Sequence, residues 1–218
     1  ATTRPKSQQK PKFLTRKRSG IMCRASLFRM NPRTFPDPAS FRYRIAITGG
    51  IAEGKSTVLG MIREAGLYTE NADVIARDVL NSPEVATEVH AALGTVDPVA
   101  LRALIRSSDS ARGTLNAITH PRIIQRLIEG RPGFYEVPLL YETCIASAFD
   151  QAWVVTCGAA EQLARLTLRY GSETEAWAML ATQLPTSIKS SLADRVFRTN
   201  LGLQTVRDHV SDSILNLG

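Results

Sequence analysis

The chain has 218 residues, 44% of them hydrophobic, enough to bury a full core, and its length favours one domain. Its longest uncharged run, residues 176–188, is thirteen residues long and contains Pro185, so it falls short of the roughly 20 apolar residues that a membrane-crossing helix needs. The formal charge of +7 is concentrated at the start: residues 1–36 carry ten Lys or Arg and no acid, and the remainder holds 17 basic against 20 acidic residues, which removes the high pI as an argument for a nucleic-acid-binding fold.

Residues 1–43 form a basic N-terminal extension rich in Lys, Arg, Pro, Ser and Gln. They show no sustained helical or alternating apolar period and are expected to be disordered. Arg and Ser without acids also suit an organellar transit peptide, while Met22 and Met30 offer later starting points. Cys23, Cys144 and Cys157 have neither CxxC nor zinc-ligand spacing, a pattern of free thiols in a reducing compartment.

From residue 44 the texture changes. Residues 44–48 are a short β-prone run that stops at Gly49-Gly50, and a helix-compatible stretch, 55–65, stops at Gly66. Between them Gly49-Gly50-Ile51-Ala52-Glu53-Gly54-Lys55-Ser56 matches GxxxxGK[ST], in the strand-to-helix setting that a phosphate-binding loop requires. Backbone N–H groups of Gly50, Ala52, Glu53, Gly54, Lys55, Ser56 and Thr57 are expected to face ATP phosphates. Lys55 is assigned to the β and γ phosphates and the Ser56 hydroxyl to Mg2+.

Further strands are predicted over 134–140, 152–157 and 195–197, and helices around 73–80, 98–106, 111–129, 159–170 and 173–183. Strands alternating with helices imply an α/β fold with a parallel sheet covered on both faces. Asp73 and Arg77 stand four apart at the start of a helix; they are either a cap with a surface ion pair or a carboxylate and cation that meet a substrate hydroxyl. His120-Pro121 predicts a helix interruption, since Pro disfavours a helical conformation in the residue before it. Arg165 and Arg169 share one helix face; they are either solvated, with Glu161 pairing to Arg165, or part of a lid that neutralises a triphosphate.

The order and spacing of several segments resemble the dephospho-coenzyme A kinase family over about 170 residues. They are the phosphate loop, Asn71-Ala72-Asp73-Val74-Ile75-Ala76-Arg77, Thr119-His120-Pro121, Val137-Pro138-Leu139-Leu140-Tyr141-Glu142, Gln162 with Arg165 and Arg169, and Ala193-Asp194 through Asn200. The resemblance implies a three-layer P-loop kinase over 44–218 with a parallel five-stranded core sheet, a helical acceptor-binding region at about 73–130 and a lid at about 165–190. It also implies transfer of the γ-phosphoryl of ATP to the ribose 3′-hydroxyl of dephospho-coenzyme A, giving coenzyme A and ADP, with Mg2+, in the cytoplasm or in an organelle if the extension directs import.

On that reading Asp73 orients or deprotonates the hydroxyl, Arg77 and His120 bind the acceptor, and Arg165 and Arg169 clamp the transferring phosphoryl group. Glu136 holds Mg2+ through water, Glu142 braces the same strand end, and Asn200 meets the adenine. The resemblance implies no nucleic-acid partner and leaves the oligomeric state open. Four positions depart from the family pattern: Ala52 replaces a usual Gly, Glu53 a small polar residue, Asn71 the first Asp, and Met179 a lid arginine. Ala52 is unstrained if its φ is negative, and Glu53 can point outward. A related P-loop small-molecule kinase and a degenerate ATP-binding protein are the alternatives.

Overall fold

The computed structural model describes Phe35 and residues 37–217. Five parallel strands, β1 (Arg44–Thr48), β2 (Thr69–Asn71), β3 (Gly133–Glu136), β4 (Gln151–Thr156) and β5 (Arg195–Arg198), form one sheet in the order β2-β3-β1-β4-β5. The phosphate loop leaves β1, the central strand, between β3 and β4. β1 is buried on both faces from Ile45 to Thr48, as its central apolar run Ile45-Ala46-Ile47 requires.

On one face α1 (Lys55–Glu64) and α9 (Leu203–Leu215) cover the sheet. Ile45, Ile47, Val58, Ile62, Phe134, Trp153, Phe197, Val206 and Val210 meet there. The other face carries α2 (Ala72–Asn81), α3 (Pro83–Leu93), α4 (Pro98–Ser107) and α5 (Asp109–Ile128), where Ala46, Ile75, Val79, Val89, Leu101, Tyr135 and Ala152 form a second core. These four helices are the expected acceptor region. Beyond β4, α6 (Ala159–Tyr170) and α7 (Glu173–Leu180) make a hairpin, and α8 (Thr186–Ser191) leads back into β5.

The predicted interruption at His120-Pro121 is absent: α5 runs unbroken through Pro121. The ring removes one N–H and crowds the preceding turn, but side-chain donors serve neighbouring carbonyls. Thr119 Oγ1 donates to the Leu115 carbonyl at 2.9 Å and Arg122 Nη1 to the Ile118 carbonyl at 2.7 Å. Packing of Ala111, Ile118 and Leu127 keeps the helix in place on both sides of the proline. The predicted strand over 134–140 also ends early, at Glu136, and turns follow from Pro138.

The disorder expected through residue 43 does not extend that far. Residues 1–34 and 36 lie outside the described residues, but Phe41 is buried and stacks on Phe134 with ring centroids 5.3 Å apart. Phe35 and Tyr43 pack against the same core. Phe41→Ala should therefore cost about 3 kcal/mol or more, read as a lowered chemical-denaturation midpoint; an unchanged midpoint would make this segment dispensable to the core. No helix among the described residues is long and apolar enough to cross a membrane.

Candidate active site

Two glycines show why the loop sequence is what it is. A Cβ on Gly49 would lie 2.2 Å from the Val155 carbonyl oxygen, so only Gly lets the chain turn off β1 beside β4. Gly54, with φ of 91°, starts α1, and no side chain caps that helix. The first-turn amides of α1 are thus left to meet an anion, with the positive end of the helix dipole behind them.

The departures from the family pattern have unexpected outcomes. Ala52 has φ of 62°, in the left-handed region, where a Cβ costs roughly 1–2 kcal/mol, so the condition for an unstrained alanine is not met. Glu53 does not point outward either. It is 1% exposed, because its carboxylate accepts hydrogen bonds from the Gly50 N–H, from Thr156 Oγ1 at 2.9 Å and from Thr186 Oγ1 at 2.7 Å. Ile51 N–H donates to Gln183 Oε1 at 3.0 Å, and Gln162 Nε2 donates to the Ile51 carbonyl at 3.0 Å. The Gly50 amide, expected on phosphate, is committed to Glu53.

Lys55 folds back over the loop, its Nζ donating to the Gly49 and Gly50 carbonyls at 3.1 and 2.8 Å. Burial lowers its pKa from the ordinary lysine value, against the pull of Glu136, Glu53 and Asp73, with Lys189 adding to the lowering. Glu136 ends β3, paired with Ile47 of β1 and Asn71 of β2, and Asp73 opens α2 directly after β2, so Lys55, Asp73 and Glu136 all lie on elements that meet at the carboxyl end of the sheet. Triphosphate charge would act in the same direction as these carboxylates and hold the lysine protonated.

Asp73 is exposed in the first turn of α2. The cap of that helix is Asn71, whose Oδ1 accepts the Asp73 N–H at 2.7 Å, so the capping reading of Asp73 does not hold. Asn71 Nδ2 also donates to Glu136 Oε2 at 3.1 Å, tying the end of β3 to the start of α2. Arg77 is exposed one turn on, and His120 is partly buried on the adjoining α5. Ser56 and Thr57 are exposed at the start of α1, and Asn200 is exposed in the turn after β5.

The two arginines of α6 part company. Arg165 Nη1 donates to the Ala52 carbonyl at 3.3 Å while its Nε pairs with Glu161 at 2.9 Å, which joins the helix to the phosphate loop. Arg169 is exposed and lies over the Tyr170 ring; it is not brought to the loop in this arrangement. A cavity of about 680 Å³ opens between the loop and the segment from α6 to α8, with Gly50, Glu53, Gln162, Trp177, Leu184 and Thr186 among its walls.

Sequence reasoning missed Lys189. Its side chain is fully buried, with Nζ 2.7 Å from Glu142 Oε1 and 3.0 Å from the Pro138 carbonyl. Glu142 also accepts the Leu184 N–H at 2.9 Å, so the brace expected of Glu142 reaches the lid's return segment. The signal was faint: one cation at the edge of the long uncharged run. Burial pushes the Glu142 carboxyl up, but Lys189 and the Leu184 N–H outweigh it and hold it below its usual value. A depressed carboxylate stabilises the fold above its ordinary pKa, and that contribution is lost as pH falls through the folded value. Lys189→Met should cost about 3 kcal/mol by leaving a charge unpaired and should flatten the acid limb of a Tm-versus-pH profile; parallel profiles would deny the pair a stabilising role.

Among the described residues no cluster of three or more His, Cys, Asp or Glu can hold a metal ion. A Mg2+ ion would rest on the Ser56 hydroxyl, nucleotide phosphates and water, with Glu136 in reach through water, a donor set that fits this cation.

A family model described as Dephospho-CoA kinase matches residues 43–204. A dephospho-CoA kinase of Geobacter metallireducens is 39% identical over 171 residues, covering 70% of this chain and 85% of the relative. One of Geobacillus kaustophilus is 35% identical over 175 residues, covering 72% and 87%. The solved dephospho-CoA kinase of Campylobacter jejuni superposes with a TM-score of 0.63 at 22% identity, over 80% of this chain and 96% of that one, a likeness of fold. With the family model spanning well over half of its length and such relatives covered almost end to end, the chain belongs to the dephospho-CoA kinase family.

Proposed function

We propose that the protein transfers the γ-phosphoryl group of ATP to the 3′-hydroxyl of dephospho-coenzyme A, with Mg2+ as the metal, and that the residues above divide the work as follows. The first-turn amides of α1 and Lys55 hold the phosphates, and Ser56 would hold the metal, which would supply positive charge to offset that of the phosphates. Asp73 accepts the proton of the acceptor hydroxyl, or fixes its direction, while Arg77 and His120 bind the acceptor against α2 and α5. Asn200 meets the adenine. The observation that supports this reading is that Lys55, Asp73 and Glu136 stand on neighbouring elements at the carboxyl end of the sheet, with the cap of α2 supplied by Asn71 rather than by Asp73.

Arg165 completes the charge clamp from the lid. Arg169 joins it only if the α6–α7 hairpin closes, because here it lies over the Tyr170 ring. Arg165→Ala should lower kcat by about 10²–10³, the scale for removing one donor from a developing anion, with a much smaller change in the KM for dephospho-coenzyme A. A like fall for Arg169→Ala would indicate closure; equal losses of acceptor binding would place both in the wrong site. The substrate assignment is tested by ADP release across a panel of alcohol acceptors. Preference for an acceptor without the pantetheine arm would favour a related P-loop kinase. The reaction would belong to coenzyme A synthesis, in the cytoplasm or, if the basic extension directs import, in an organelle.

A further inference from the structure

We propose that the Glu53 side chain is a positioning residue that fastens both roots of the lid to the phosphate loop, so that the lid is held where its arginine meets the transferring group. The inference rests on the phosphotransfer reading above for its effect on turnover, though not for its effect on the lid. A side chain as short as serine could not span from the loop to α8. The Glu53 carboxylate does span it, accepting from the Gly50 N–H within the loop, from Thr156 at the end of β4 and from Thr186 at the first turn of α8.

Three neighbouring bonds run along the same seam. Gln162 on α6 donates to Ile51, Gln183 ahead of α8 accepts from Ile51, and Arg165 donates to Ala52. Thr199 Oγ1 donates to the Glu53 carbonyl at 2.7 Å and holds the residue's own backbone to the end of β5. The hairpin therefore leaves and re-enters the domain at points bonded to loop residues 50–52, and Glu53 is the acidic member of that set. Crowding explains the glycine opposite it. A Cβ on Gly50 would lie 2.3 Å from Gln162 Nε2 and 2.9 Å from both Glu53 Oε2 and Thr186 Oγ1.

A full-burial carboxylate with three donors is worth keeping only if all three stay aligned, since one unsatisfied member raises the cost of the rest. Loss of the Glu53–Thr186 link should loosen α7 and the start of α8 while α1 and α9 stay fixed. The chemistry should suffer through Arg165 and through water admitted under the lid. Binding of ATP should suffer little, because the α1 amides and Lys55 remain.

The test uses the full chain and four variants: Glu53→Ser, Thr186→Val, the double variant and Glu53→Gln. Hydrogen exchange of amides 173–187, which needs no turnover, should speed up about tenfold or more in Glu53→Ser and in Thr186→Val, the scale of one hydrogen bond to a charged acceptor, with α1 and α9 unchanged. Over the same variants kcat should fall about tenfold with the KM for ATP within about threefold, and the double variant should lose no more than the worse single one. Glu53→Gln, which keeps shape and one acceptor oxygen, should recover at least half of the logarithmic loss. Unchanged lid exchange, strictly additive losses in kcat, or a raised KM for ATP with kcat intact would each overturn the proposal. Wild-type protein without acceptor-dependent ADP formation would instead sink the phosphotransfer reading, and the exchange data would still decide whether Glu53 holds the lid.

Discussion

Asp73→Asn is expected to leave a folded, ATP-binding protein that turns over about 10²–10⁴-fold more slowly, the range for removing a general base. That range corresponds to about 3–5.5 kcal/mol of activation free energy. The side chain caps nothing, because Asn71 holds the N-terminus of α2, and an acid in the first turn of a helix contributes only about 0.3–1 kcal/mol through the dipole. The thermal midpoint should therefore move little. Asn71→Ala gives the opposite pattern: about 1 kcal/mol of stability lost with the cap, and a smaller loss of rate, transmitted through Glu136 and the seat of Asp73. If Asp73→Asn retains most turnover, the carboxylate is not the base. If the two variants lose rate equally, the start of α2 acts as a scaffold rather than as a reactive group.

Lys55→Ala is expected to lower kcat/KM by about 10²–10³ or more, since it removes a charged donor aimed at the phosphates. Stability should hold or rise slightly. In the free protein burial disfavours the lysine's charge, and its hydrogen bonds go only to two loop carbonyls, Gly49 and Gly50. A fall in rate with unchanged stability, measured by steady-state kinetics beside a denaturant titration, separates a phosphate ligand from a loop strut. Near-normal kcat/KM would take Lys55 out of the mechanism, whereas parallel loss of rate and stability would make its bonds to the loop the main role.

The sequence made the skeleton readable where a local signal was strong. The helix predicted at 159–170 coincides with α6, and the strand at 44–48 with β1, because each has an uninterrupted period and glycine at its end. β2 escaped notice: it is three residues long, none of them buried, and its place in the sheet is set by pairing with β3. α3 and α9 escaped despite fair patterns. Pro83 at the first turn and Gly94 at the C-terminus bracket α3, and Val206, Val210 and Ile214 recur along one face of α9.

At the site, residue types were legible and side-chain directions were not. The loop motif, Asp73 and Arg165 were located from spacing and family resemblance, yet the inward turn of Glu53 depends on Thr156 and Thr186, 103 and 133 residues away. No local rule links such partners. The same holds for Lys189, whose burial makes sense only beside Glu142 and Pro138. Pro121 shows the reverse case, a strong local signal overruled by packing along α5.

Phosphoryl transfer to dephospho-coenzyme A is tested most directly by ADP formation with that acceptor present and absent, in Mg2+ and again in excess chelator. Sustained ADP formation is expected only with acceptor and Mg2+ together, in step with the appearance of coenzyme A. ADP formation indifferent to the acceptor, or ATP binding with no acceptor-dependent turnover, would contradict it.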